Sequence, residues 1–223
     1  MIGIFDSGRG GIAVANELLS LCPDCDILLL ADRKNSPYGT KSDGELIPIV
    51  EQNLKRLRSY GAECLLIGCC TASSIYTRFF GASARVLPII DPTARRAAEL
   101  TDGKICVIAT ESTVRSHAFR SAISRYTKAE VTEVATGELV SIVESLKGRA
   151  PDEKEFRKIK KALEPAKRTG ADTLVLGCTH FPLISEYISR CLPGVRVVSC
   201  AREGALAALF CVTEGRGRII YSE

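Results

Sequence analysis

Two cysteines occupy matching places in the two halves of the chain, in Leu65-Leu66-Ile67-Gly68-Cys69 and Leu174-Val175-Leu176-Gly177-Cys178. Each follows an apolar run of strand length, broken by Gly, at the point where a helix would begin. Strand ends are where α/β folds place their ligands, and the positive end of a following helix favours a thiolate. One such thiol would serve as a nucleophile. Two, contributed from opposite halves, fit a substrate held between them, one sulfur taking a proton and the other returning one.

The flanking residues extend that chemistry. Phe5-Asp6-Ser7-Gly8-Arg9-Gly10-Gly11 ends a strand in a carboxylate and a hydroxyl, then turns through glycines into a helix. Asp6 suits an ammonium group. An alternative takes Gly8-Arg9-Gly10-Gly11-Ile12-Ala13 as a dinucleotide fingerprint with Asp32 on a ribose, although Asp6 and Ser7 would then crowd the pyrophosphate. Cys69-Cys70-Thr71-Ala72-Ser73 offers hydroxyls and the free N–H groups of a new helix, which hold a carboxylate. In Cys178-Thr179-His180-Phe181-Pro182, Pro182 suits a first helical turn, and His180 can hydrogen-bond the thiol or shuttle its proton.

Such residues need strands to carry them. Short apolar runs near 2–6, 26–31, 63–68, 85–90, 104–109, 129–135, 172–177 and 194–199 alternate with helical patterns, the signature of βαβ units and parallel sheets. Leu46, Val50, Leu54 and Leu57 mark one helix, with Pro48 limiting its first turn, and Leu139, Ile142, Val143 and Leu146 mark another. A break falls between Asp91-Pro92 and Asp102-Gly103, after which the pattern restarts as a copy of the first half. The expected fold is α/β, with two pseudosymmetric parallel-sheet lobes and the active site in the cleft between them. The first lobe takes 1–91 and returns at about 201–223, through an apolar helix from Leu206 to Phe210 and the strand-like Arg218-Ile219-Ile220-Tyr221. The second takes 92–200.

Composition narrows the partners. The 223 residues are 46% hydrophobic and 25% charged, with a net charge of +4, which is ample material for a globular core. The densest basic stretch, Lys154 to Lys161, carries Phe156, Ile159 and Leu163 at helical spacing, so it reads as the solvated face of a helix and not as a nucleic-acid patch. No apolar run approaches the roughly 20 residues of a membrane span, and no basic region precedes Ile2-Gly3-Ile4-Phe5, so no membrane partner and a cytoplasmic location are expected. The ten cysteines then read as reduced thiols, mostly apolar fillers. Cys22-Pro23-Asp24-Cys25 reads as a turn, since a redox pair belongs at a helix start. With two histidines, His117 and His180, no metal site is expected.

Five segments in order carry a resemblance: Ile4-Phe5-Asp6-Ser7-Gly8 with Gly10-Gly11; Ser36-Pro37-Tyr38-Gly39-Thr40-Lys41-Ser42; Cys69 with Thr71-Ala72-Ser73; Thr113-Val114-Arg115-Ser116; and Gly177-Cys178-Thr179-His180-Phe181-Pro182-Leu183. Over nearly its whole length the chain resembles the glutamate racemase family of the aspartate/glutamate racemase superfamily. The resemblance implies a cofactor-independent, homodimeric racemase that supplies D-glutamate for peptidoglycan. It makes Cys69 and Cys178 the acid/base pair, Asp6 the assistant of Cys69 and holder of the ammonium, and His180 the assistant of Cys178. Ser7, Pro37, Tyr38, Gly39, Cys70, Thr71, Thr113 and Thr179 become contacts to a small acidic amino acid, with Tyr38-Gly39 near its side-chain carboxylate. The chain departs from the family's pattern at Cys70, where an Asn amide is usual, at Ala135-Thr136-Gly137, where Ala-Cys-Pro is usual, and at Ser112 and Ser199. Two alternatives stay open: a racemase or isomerase for aspartate or another small carboxylate, and a non-catalytic ligand-binding or regulatory homologue.

Overall fold

The computed structural model describes residues 1–212 and 215–222; the first-lobe assignment expected for 213, 214 and 223 lies outside the described residues. Unbroken apolar strands define the first sheet. β1 (Ile2–Asp6) and β2 (Ile27–Ala31) are buried along their whole length, as strands covered on both faces must be. Between them runs α1 (Gly10–Leu21), and α2 (Asp43–Ser59), β3 (Cys64–Ile67), α3 (Cys70–Phe79), β4 (Val86–Pro88) and α4 (Ile90–Leu100) follow. The second half contains β5 (Lys104–Ala109), α5 (Glu111–Arg115), α6 (Ala118–Ile123), β6 (Glu130–Ala135), α7 (Glu138–Leu146), α8 (Glu153–Arg168), β7 (Thr173–Gly177), α9 (Ser185–Cys191), β8 (Arg196–Ser199) and α10 (Cys200–Ala208). β9 (Ile219–Ser222) then pairs with β2 at the edge of the first sheet.

Strand order makes the duplication explicit. The first sheet runs β4-β3-β1-β2-β9 and the second β6-β5-β7-β8, so β1, β2, β3 and β4 correspond to β5, β6, β7 and β8, and every pair is parallel. Equivalent strands therefore end on equivalent residues. Ser7 and Cys69 follow β1 and β3 within two residues, as Thr110 and Cys178 follow β5 and β7.

Three element boundaries differ from the sequence expectation. The stretch from Asp91 to Leu100 is not a break but part of α4, because Pro92 sits in a first turn, where its missing N–H costs no hydrogen bond. Helix α2 starts earlier than Pro48 implies, since Ser42 and Glu45 close a reciprocal capping box around its first turn and Pro48 falls inside the helix. The last helix begins at Cys200, where the Ser199 side chain accepts from the Arg202 N–H, and Phe210 lies beyond it in a 3-10 turn. The basic run of α8 follows expectation, with Ile159, Leu163 and Ala166 inward and the lysines exposed.

A shared core joins the lobes. Residues of β1 (Ile2, Ile4) and β5 (Ile105, Val107, Ala109) belong to one buried cluster with Ala94 and Ala97 of α4 and Ala201, Ala205 and Ala208 of α10. Small residues let these helices approach closely; a Cβ on Gly204 of α10 would come within 2.7 Å of Ile89 Cδ1. The thiols are not all free. Cys64, at the start of β3, and Cys211, beyond α10, are disulfide-linked across 147 residues of sequence, a pairing that composition and spacing did not signal.

Candidate active site

The carboxyl ends of both sheets close on a cavity of about 250 Å³, lined by residues of the two lobes. That volume suits a molecule of amino-acid size. Of the residues named from sequence, Ser7, Pro37, Tyr38, Gly39, Cys69, Cys70, Thr71, Cys178, Thr179 and His180 line it. Asp6 and Thr113 do not, and both stand one layer behind the wall.

On the first lobe, Cys69 precedes α3, and its sulfur lies 3.4 Å from Ser7 Oγ. Burial, reinforced by the nearby Asp6 charge, pushes the Cys69 thiol up to about 11, while Ser7 and the N–H groups of Ala72 and Thr71 pull it down. Ser7 is thus the side chain within hydrogen-bond reach of this thiol, and Asp6 acts on it through its charge. Asp6 is fully buried, accepting from the Gly8 N–H at 2.8 Å and from Thr179 Oγ1 at 2.8 Å. Burial raises its carboxyl, and the charge of His180 and these donors offset part of the rise. From this position Asp6 addresses the cavity through Thr179.

On the second lobe, Cys178 Sγ lies 3.7 Å from His180 Nδ1, and His180 Nε2 lies 2.6 Å from Glu144 Oε1. Burial holds the Cys178 thiol well above its ordinary range, against the pull of the His180 N–H. The hydrogen bond to His180 lowers the Glu144 carboxyl. A carboxylate on one ring nitrogen fixes the other toward the sulfur, so Glu144, His180 and Cys178 form a chain along which a proton can pass. Glu144 was missed from sequence. Its signal was a second helical face: Gly137, Val140 and Ser141 line the cavity, and Glu144 follows at the next turn of the same face.

Hydroxyls join the lobes. Thr71 Oγ1 stands 3.0 Å from Thr110 Oγ1 and 3.1 Å from Thr113 Oγ1, and the latter two are 3.0 Å apart. Thr113 therefore acts by holding Thr71 and Thr110. Thr110, also unforeseen, lines the cavity itself. Gly39 packs against Thr110, where a Cβ would come within 2.8 Å of the threonine Cβ, so the Tyr38–Thr40 turn can close only on glycine.

The Tyr38 hydroxyl donates to Asp32 Oδ2 at 2.6 Å beside Asn53, so Tyr38 offers its ring and backbone to the cavity. Burial alone would raise the Asp32 carboxyl, but hydrogen bonds from Tyr38, Asn35 and Asn53 bring it below its usual range. Asp32 is thereby fully engaged. The start of α1 is also closed, since a Cβ at Gly10 would meet Thr179 Cβ at 2.7 Å. A helix start covered by the opposite lobe and an occupied Asp32 leave no room for the dinucleotide reading. Cys70 lines the cavity and shares the buried core with Cys200, and burial, with Cys200 nearby, holds its thiol well above the ordinary range.

Two duplicated α/β lobes closing on a small cavity flanked by one thiol from each define an isomerase of the amino-acid racemase class. Residues 24–208 match the model of the Asp/Glu/hydantoin racemase family. The chain is 37% identical over 219 residues to a glutamate racemase of Mycobacterium leprae, covering 96% of this chain and 79% of that one. Among solved structures it superposes on a glutamate racemase isoform from Bacillus anthracis with a TM-score of 0.89 at 31% identity, covering 99% of this chain and 86% of that one. It also matches a Francisella tularensis glutamate racemase in complex with D-glutamate (TM-score 0.85, 28% identity, 99% and 85% covered). The chain belongs to the Asp/Glu/hydantoin racemase family.

Proposed function

We propose that the protein interconverts L- and D-glutamate by proton transfer between two thiols, acting as a cytoplasmic, cofactor-independent homodimer that supplies D-glutamate for peptidoglycan. The observation that carries this reading is the placement of Cys69 and Cys178, each with its own polar partner, on opposite lobes of one amino-acid-sized cavity. One cysteine, as thiolate, takes the α-proton: the C–H bond breaks, an S–H bond forms, and the electron pair stays on the α-carbon and its carboxylate. The other cysteine gives its thiol proton to the opposite face and becomes the thiolate. Reversal of the two roles gives the reverse reaction.

The surrounding residues lower the cost of the carbanion. Thr71 supplies a hydroxyl, and the start of α3 supplies N–H groups, in a buried site where fixed donors act strongly on developing charge. Ser7 and Asp6 serve Cys69; His180 with Glu144 serves Cys178. Homodimer formation is supported by exposed apolar residues near the carboxyl end, with Phe210 96% and Tyr221 61% exposed. The test is α-proton exchange into heavy water, followed for D- and L-glutamate and for D- and L-aspartate. Exchange with both glutamate enantiomers is expected, and its persistence in the Cys69→Ala/Cys178→Ala double variant would sink the two-thiol mechanism.

A further inference from the structure

The lining of the reaction cavity holds no Lys or Arg, whereas an acidic amino acid brings a carboxylate on its side chain as well as on its α-carbon. Positive charge stands just outside. A second cavity, of about 430 Å³, is lined by Gly8, Arg9, Ile12, Arg33, Ser36 and Glu144. The two cavities meet at Ser36, which lines both and is exposed. Gly8 marks the passage between them. A Cβ there would stand 3.7 Å from Glu144 Oε1, 3.8 Å from Ser36 Oγ and 4.0 Å from His180 Nε2, space that the glycine leaves open. Two turns of the chain hold the arginines at this point. The Arg9 carbonyl accepts from the Ile12 N–H at 3.1 Å where α1 begins, and the Arg33 carbonyl accepts from the Ser36 N–H at 3.3 Å in the turn after β2. Arg9 is half-buried and Arg33 exposed. The carboxylate in this lining, Glu144, already faces His180 Nε2 at 2.6 Å. Its carboxyl is lowered first by that hydrogen bond and further by the charges of His180 and Arg9, so the field of Arg9 reaches the edge of the reaction cavity.

From this arrangement we infer that Arg9 and Arg33 form an outer carboxylate-binding site, which draws an acidic amino acid to the cleft and admits it to the reaction cavity past Gly8 and Ser36. The inference rests on the racemase reading and adds to it an entry route and the charge that serves it. Cations at the mouth of a cleft raise the local concentration of an anion and speed its arrival, and salt screens them because they are in reach of solvent. The thiols lie on the inner side of the passage and do not touch either arginine's cavity. The effect therefore falls on kcat/KM and not on kcat.

The experiment compares wild type with two double variants, Arg9→Gln/Arg33→Gln, which removes the charge, and Arg9→Lys/Arg33→Lys, which keeps it. Exchange of the α-proton of D-glutamate into heavy water and its calorimetric Kd are measured at low and high ionic strength. The Gln pair is expected to lower kcat/KM by about three- to tenfold at low salt, to weaken Kd, and to leave kcat within about twofold. Its kcat/KM should also respond less to salt than that of wild type. The Lys pair should stay within about twofold of wild type in kcat/KM, since charge and not the guanidinium fork draws the anion. Equal kcat/KM and salt response in wild type and the Gln pair, or the same loss in the Lys pair, overturns the outer site while wild-type exchange keeps the racemase reading. A charge-dependent Kd with no exchange in wild type does the reverse, and a wild type that binds no glutamate sinks both.

Discussion

Burial sets the ionisation of the two thiols. Cys69 is pushed up to about 11 and Cys178 well above its ordinary value, in each case first by desolvation and then by neighbouring negative charge. Both are thiols near neutral pH, so either thiolate forms only at a cost. A raised thiol pKa also means that the native protein holds the proton more tightly than the unfolded chain does. Unfolding above the ordinary thiol value therefore releases protons, and stability falls as pH rises from about 9 toward 11. Cys69→Ala removes one such group and should flatten the alkaline slope by up to about 1.4 kcal/mol per pH unit. Urea unfolding at a series of alkaline pH values checks this, and parallel slopes for wild type and variant would refute it. These cysteines and His180 were legible in the sequence because a strand end fixes where such a side chain goes. Glu144 was not, because a charge on an amphipathic helix looks the same whether it meets solvent or a histidine of another element.

Helix ends do much of the positioning. The start of α1 abuts Thr179 of the opposite lobe, and Thr179 in turn donates to Asp6 at 2.8 Å, so one close approach aligns the second thiol's neighbour with the first lobe's carboxylate. Gly10→Ala places a methyl within 2.7 Å of Thr179 Cβ, and either the helix or the threonine must give way. The expected result is a fall in kcat of about a hundredfold, from misplacement of reacting groups by a fraction of an ångström to an ångström, with a stability loss of about 1–3 kcal/mol from overpacking. Exchange assays and thermal melts on the same preparation separate the two, and full activity with an unchanged melt would show that the approach is not needed. Strands read well from sequence because buried parallel strands are continuous apolar runs. Helix starts read less well: the apolar spacing of α2 points to Leu46 onward, but the Ser42–Glu45 box determines where the helix begins.

At the scale of the molecule, the duplication was visible in the restart after Gly103 and in the paired Gly-Cys ends, because each lobe repeats the same alternation of strand and helix. What ties the lobes together was not visible. The interlobe hydroxyls and the alanine-rich seam of α4 and α10 depend on how two sheets face one another, which no local pattern encodes. The Cys64–Cys211 link belongs to the same class, since it joins the start of β3 to the turn beyond α10 across 147 residues. It also sits where the chain returns to the first sheet, because β9 follows it and pairs with β2. Closing so long a loop removes much of the freedom of the unfolded chain, and for a loop of this size the chain-entropy model assigns about 3–5 kcal/mol. The oxidised protein should therefore unfold at a higher urea concentration than the reduced protein or the Cys64→Ser variant, with the latter two alike. Mass spectrometry of alkylated protein counts the free thiols in each sample. If the oxidised and reduced forms share one urea midpoint while the thiol count shows the link made and broken, the link contributes nothing to stability, and the return of β9 is held by strand pairing and packing alone.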